Sequence, residues 1–128
     1  MQSTGLASRY ARALSEVVQK KAELERAADQ LDAVADLYRG SKELRDFLRN
    51  PTGPLDAKLK GLEGVVKHLH LARHTARLLE VLLTRGRMDL VPDVAGEFRK
   101  IEEASLGRVA VELTTASALD ASTEKKVQ

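Results

Sequence analysis

The sequence predicts an all-α protein: a bundle of six helices in residues 1–105, followed by a β-strand that begins an incomplete second domain in residues 106–128. Three observations favour this fold class. Apolar residues recur every three to four positions through the first hundred residues, which is the helical period. Aromatic residues make up only 3% of the chain, so Leu, Val and Ala must build the core, as suits close-packed helices. After Gly107 the apolar period falls to two, which is typical of a strand.

Two helices are predicted at the start of the chain. Ser3 or Thr4 can cap a first helix that runs to about Gln19. The second helix is predicted over Ala22–Tyr38, with one apolar face and an opposite charged face, and Gly40 is placed to end it.

A short third helix is predicted after Ser41, which can cap it, and Asn50 followed by a proline stops it. The apolar residues of this helix are expected to point inward: Leu44, Phe47 and Leu48. The fourth helix follows the turn at Pro54 and contains Gly61 and Gly64. Each glycine costs about 1 kcal/mol in helix propensity relative to alanine. We interpret them as tolerated rather than as sites of close packing.

The fifth helix is predicted from about Leu71 to Arg85, with Gly86 as its C-cap. The sixth is predicted from about Asp89 to Ala104, with Pro92 in its first turn, where a missing N–H costs little. It is expected to bury four apolar side chains: Val91, Val94, Phe98 and Ile101.

Helices one and five carry more apolar surface than a surface helix needs, because each has two adjacent apolar stripes. In helix one the stripes are Leu6, Tyr10, Ala13, Val17 and Ala7, Ala11, Leu14, Val18. In helix five they are Leu78, Val81 and Leu79, Leu82, Leu83. Two interpretations stay open: the bundle encloses both helices, or one stripe of each forms a groove for an amphipathic partner helix.

Composition argues against several function classes. The chain has no cysteine, so it has no disulfide framework, thiolate metal site or cysteine nucleophile. It has no run of 18 apolar residues and no signal-peptide pattern, so direct membrane insertion is not expected and a cytosolic location is the simplest interpretation. The formal net charge is only +2, with acidic and basic residues interleaved. This pattern does not favour nucleic-acid binding.

Catalytic and cofactor sites are not expected. His70 and His74 are four residues apart and His68 is near them, but no further ligand is evident, so exposed surface histidines are the simpler interpretation. The sequence lacks a glycine-rich phosphate loop, and its carboxylates alternate with Lys and Arg on helix faces. We therefore predict no catalytic residues, no metal and no cofactor.

Four segments, taken together, resemble the delta subunit of F-type ATP synthases, the family of the oligomycin-sensitivity-conferring protein. They are SRYARAL, LRDFLRNP, LLEVLLTRGRMDLVPDVAGEFRKI and VAVELTTASALD, and they run from about residue 8 to 120 in the order and spacing of the family. The resemblance implies a six-helix N-terminal bundle that binds N-terminal helices of the alpha subunits. It also implies a C-terminal domain, largely missing here, that meets the b subunits of the peripheral stalk.

The resemblance implies a non-catalytic stator subunit, peripheral on the cytoplasmic face of the bacterial membrane, which links the catalytic head to the stalk so that rotation drives ATP synthesis. Because helices one and five bind alpha in the family, it assigns partner contact to seven residues: Tyr10, Ala13, Leu14, Val17, Leu78, Val81 and Leu82. Arg87, from the Gly-Arg turn, is assigned a structural role. The competing hypothesis is a stand-alone helical regulatory or nucleic-acid-binding module, whose binding would weaken steeply with added salt.

Overall fold

The computed structural model describes residues 3–18 and 20–106, with side chains from residue 5 onward. Six α-helices form the bundle. They are α1 (Ser3–Val17), α2 (Lys21–Gly40), α3 (Lys42–Arg49), α4 (Leu55–Leu69), α5 (Arg73–Thr84) and α6 (91–106), and a 3₁₀ turn at Met88–Leu90 leads into α6. The predicted strand and second domain lie outside the described residues. The all-α fold class is confirmed.

Helix α5 is the central element of the bundle, since it packs against α1, α2 and α4. Its position follows from its sequence, because apolar residues cover more than half of its circumference. The core around it is mostly aliphatic, with Leu31, Leu62, Leu79 and Leu82 fully buried, and Phe98 of α6 is the largest of the fully buried side chains. Among the described helices, none is both long and apolar enough to cross a membrane.

Three of the predicted helix ends are confirmed. Ser41 caps α3, because its Oγ accepts a hydrogen bond from the amide of Leu44 at 3.1 Å. Gly86 follows α5 with φ of 68°, a left-handed conformation that glycine adopts without steric cost. Gly40 is the last residue of α2, and Ser41 both ends α2 and begins α3.

Phe47 is a correction to the predicted core. Its side chain is 42% exposed, whereas Leu48 is buried and Leu44 is half-buried. The ring lies over Gly61 of α4, where an added Cβ would come within 2.5 Å of Phe47 Cε2. Gly61 therefore permits close packing of α3 on α4, contrary to the expectation that it is merely tolerated. At Gly64 a Cβ would meet open space, so tolerance does explain that residue.

Candidate partner-binding surface

The structure decides which stripe of α1 faces the core. Ala7, Ala11, Leu14 and Val18 are buried, and they form one of the two predicted stripes. The other stripe is more exposed to solvent: Leu6 is half-buried, Ala13 is exposed and Val17 is 57% exposed. Tyr10 lies at the border and is buried except for its edge. The surplus apolar surface of α1 is therefore the line of Leu6, Ala13 and Val17.

The structure also decides which apolar residues of α5 face the core. Leu79, Leu82 and Leu83 lie in the core, and Leu78 is buried close to the surface. Val81 is half-buried, and it is the α5 residue of the predicted set that a partner can reach. Because α5 packs beside α1, Val81 and the exposed stripe of α1 belong to two adjacent helices. We call this surface the α1–α5 face: Leu6, Ala13, Val17 and Val81, with Tyr10 and Leu78 at its inner border.

The seven predicted contact residues thus fall into three groups. Ala13, Val17 and Val81 are accessible, and Tyr10 and Leu78 are accessible only at their edges. Leu14 and Leu82 are 3% and 0% exposed, so the burial of these two side chains does not favour a direct contact with a partner. The physical reason is that their stripes complete the bundle core, an outcome that helical periodicity alone left open.

Tyr10 connects α1 to the end of α5 through two arginines. Its hydroxyl oxygen accepts hydrogen bonds from Nη1 of Arg85 at 3.2 Å and from Nη1 of Arg87 at 2.8 Å. Burial raises the pKa of Tyr10, but the hydrogen bonds and positive charges of Arg85 and Arg87 outweigh burial and lower that pKa below its ordinary value. We call these three residues the Tyr10 cluster.

The turn after α5 places Arg87 in this cluster. The amide of Gly86 bonds to the carbonyl of Leu83 at 3.0 Å, and the amide of Arg87 bonds to that of Leu82 at 2.7 Å. This pair of bonds is the Schellman arrangement that closes a helix. It reverses the chain so that Arg87 and Arg85 approach Tyr10 together. Their positions beside the α5 terminus could be predicted from sequence, but the contact with Tyr10 could not.

The histidines do not form a metal site in the described part of the chain. His68, His70 and His74 are all exposed, and no group of three or more His, Cys, Asp or Glu side chains there is arranged to hold a metal ion. His70 has a local structural role instead: with φ of 54° it occupies the left-handed position after α4, and its amide bonds to the carbonyl of Lys67.

Comparison with known proteins identifies the family. Residues 6–128 match the family model described as ATP synthase delta (OSCP) subunit. The ATP synthase subunit delta of Myxococcus xanthus (strain DK1622) is 32% identical over 130 residues, which cover 100% of this chain and 71% of that protein. The subunit delta of Anaeromyxobacter dehalogenans (strain 2CP-C) is 34% identical over 116 residues, covering 91% of this chain and 65% of the relative.

A third relative agrees. The subunit delta of Acidobacterium capsulatum is 33% identical over 122 residues, covering 94% of this chain and 68% of the relative. The chain therefore spans about two thirds of the length of these relatives. The helical bundle, the family model and these identities agree, and the chain belongs to the ATP synthase delta (OSCP) subunit family.

Proposed function

We propose that this chain is a non-catalytic stator subunit of an F-type ATP synthase and that its α1–α5 face binds an N-terminal helix of an alpha subunit. Family membership supports the assembly. The observation that carries the binding site is Val17, which is 57% exposed on a helix whose neighbouring stripe is buried. A single exposed aliphatic residue is common on proteins, but Val17 continues the line of Leu6 and Ala13 on α1, and a line of apolar residues along a helix suits a partner helix.

The role is mechanical. The central shaft turns inside the catalytic head, and the head would turn with it unless an external link opposed the torque. A rigid helical bundle supplies such a link through binding alone, without a cofactor or a reacting group. In this proposal the bundle holds the head, the remaining part of the subunit meets the b subunits, and the complex keeps the chain at the membrane surface.

The apolar contacts set a limit on affinity. Covering the exposed part of Val17 contributes about 1 kcal/mol, and Ala13 and Val81 contribute less than that each, at about 25 cal/mol per Å². Micromolar binding requires about 8 kcal/mol after the cost of association. The α1–α5 face must therefore be extended by other contacts, either around its rim or at its ends.

A titration tests the proposal. The full 128-residue chain is titrated with a peptide of the first twenty or so residues of the alpha subunit from the same organism, by calorimetry. Ala13→Asp and Val17→Asp each place a charge in the covered surface, so we expect the dissociation constant to rise at least tenfold. Ala104→Asp is the matched control, since Ala104 is exposed on α6, a helix that contributes no residue to this face.

Unchanged affinity in Ala13→Asp and Val17→Asp would place the alpha helix elsewhere on the bundle. The nucleic-acid hypothesis makes a different prediction in the same experiment. A duplex or single-stranded oligonucleotide would replace the peptide as ligand, and its affinity would fall by several orders of magnitude between 50 and 200 mM salt if six or more phosphates were neutralised.

A further inference from the structure

We propose that Arg85 and Arg87 form a carboxylate-binding site at one end of the α1–α5 face, which receives an acidic side chain of the docked partner helix. This inference rests on the proposed function. It adds a chemical requirement to it: the partner helix must carry an Asp or Glu beside its apolar stripe, at the end that lies over Tyr10.

The first observation is the hydrogen-bond balance of the Tyr10 cluster. Each guanidinium has five N–H donors, and one from each is directed to the Tyr10 hydroxyl. A neutral hydroxyl satisfies little of the capacity of two cations. Among the ion pairs within residues 5–18 and 20–106, none includes Arg85 or Arg87.

The second observation is the charge balance. Arg85 and Arg87 each place a positively charged guanidinium within 3.2 Å of the Tyr10 hydroxyl oxygen. The two like charges are therefore close together and repel each other. The C-terminal end of α5 offsets part of this, but a helix terminus supplies only about half a negative charge. A net positive charge of about 1.5 therefore remains. A carboxylate that bridges the two guanidiniums would neutralise most of it through short, charge-assisted hydrogen bonds.

The third observation is continuity with the apolar surface. A surface depression beside α5 is lined by Val81 and Arg85 together, along with Arg77, Glu80 and Thr84. Val81 belongs to the α1–α5 face, and Tyr10 borders it from α1. A helix that covers the face therefore passes beside Arg85. Glu80 is the acidic group of this depression, but it is five residues before Arg85 and so points from a different side of α5.

The test compares two double variants of the full chain in the peptide titration. Arg85→Gln/Arg87→Gln removes the site and is expected to weaken binding of the alpha N-terminal peptide about tenfold or more at 50 mM NaCl, with a smaller effect at 500 mM. Lys60→Gln/Lys67→Gln is the matched control. It removes the same total charge from exposed positions on α4, which contributes no residue to the α1–α5 face, and we expect less than a twofold change.

The partner side of the site is found by replacing each acidic residue of the peptide with Gln in turn. We expect one such peptide to lose affinity for the wild-type chain but not for Arg85→Gln/Arg87→Gln, which is the coupling that a direct contact produces. Tyr10→Phe serves as the positioning variant. It keeps both positive charges but removes the hydroxyl that holds the side chains of Arg85 and Arg87 in place. We expect it to weaken binding less than the double variant does.

The outcomes separate the two proposals. If Ala13→Asp abolishes binding while the two double variants bind equally well, the carboxylate site is wrong and the α1–α5 face stands. If neither Ala13→Asp nor the arginine variants change the affinity, the docking surface itself is wrong, and the carboxylate site fails with it. Loss of binding in Arg85→Gln/Arg87→Gln without coupling to any peptide carboxylate also overturns the site.

Discussion

Two arginine clusters of the bundle have opposite charge balances. In one, Arg99 of α6 lies 2.8 Å from Asp29 and 2.6 Å from Asp32 of α2, and 3.1 Å from Glu102. One cation there meets three carboxylates. In the Tyr10 cluster, two cations meet one neutral hydroxyl. Both clusters connect separate segments of the bundle, but only the first pairs its cation with carboxylates.

The difference separates a structural role from a binding role. Glu102 is nearly fully buried, so its charge is tolerable only because Arg99 pairs with it. The hydrogen bonds that Arg99 donates to Asp29 and Asp32 are the main cause of an Arg99 pKa raised above its usual range, which keeps the cation fully charged. Arg85 and Arg87 donate to the Tyr10 hydroxyl, which is neutral, so no buried charge depends on them. Water and salt screen part of the repulsion between these two cations, and a bound anion would relieve more of it.

The largest expected effect concerns the Arg99 cluster. Arg99→Gln leaves Glu102 buried without its cation, so we expect the free energy of unfolding to fall by about 3 kcal/mol. Arg85→Gln/Arg87→Gln is expected to change it by less than about 1 kcal/mol, because those groups are partly or fully exposed. Urea denaturation followed by circular dichroism measures both. Equal losses would remove the distinction between the two clusters.

An intermediate effect is expected at Thr75 of α5, which belongs to neither cluster. Its side chain is fully buried and its Oγ1 has no hydrogen-bond partner among the described residues. Thr75→Val keeps the shape and removes the unpaired hydroxyl, so we expect a gain of about 1 kcal/mol in unfolding free energy. Thr84→Val, at the exposed end of the same helix, is the control and should be near neutral. A loss of stability in Thr75→Val would mean that the hydroxyl is satisfied in solution.

Ionisation of the two tyrosines is expected to have the smallest effect on stability. It is nevertheless a sensitive measure of the charges around each hydroxyl. The chain has no tryptophan, so tyrosinate absorbance is easily followed. Burial and the hydrogen bond to Asp89 at 2.6 Å raise the pKa of Tyr38, whereas the arginines lower that of Tyr10. We expect two separate titration phases, on either side of pH 10.

The sign of the linked stability differs for the two residues. Folding favours ionised Tyr10, so its contribution is absent well below its folded pKa and appears as pH rises towards 10. Folding favours neutral Tyr38, so its contribution is present below pH 10 and is lost above it. Tyr10→Phe should remove the early phase, and Arg85→Gln/Arg87→Gln should move it later. An early phase that survives both variants would contradict the geometry of the cluster.

The helices and the family membership follow from signals in short stretches of the chain. Six helices could be predicted because apolar spacing, the Ser41 cap and the Gly86 stop are signals within a few residues of the feature they specify. Four short motifs in the right order were enough to recognise the delta subunit family. The same locality explains why Pro92 could be placed correctly in the first turn of α6.

Which surfaces are free depends instead on how the helices pack against one another. A helical wheel gives the angle between Leu14 and Val17 but not the direction of the neighbouring helix, so it could not place the first in the core and the second in solvent. Tyr10 meets Arg85 and Arg87 across 75 and 77 residues of sequence, and Phe47 meets Gly61 between two helices. Such contacts depend on how whole helices pack, and no pattern within one helix contains that information.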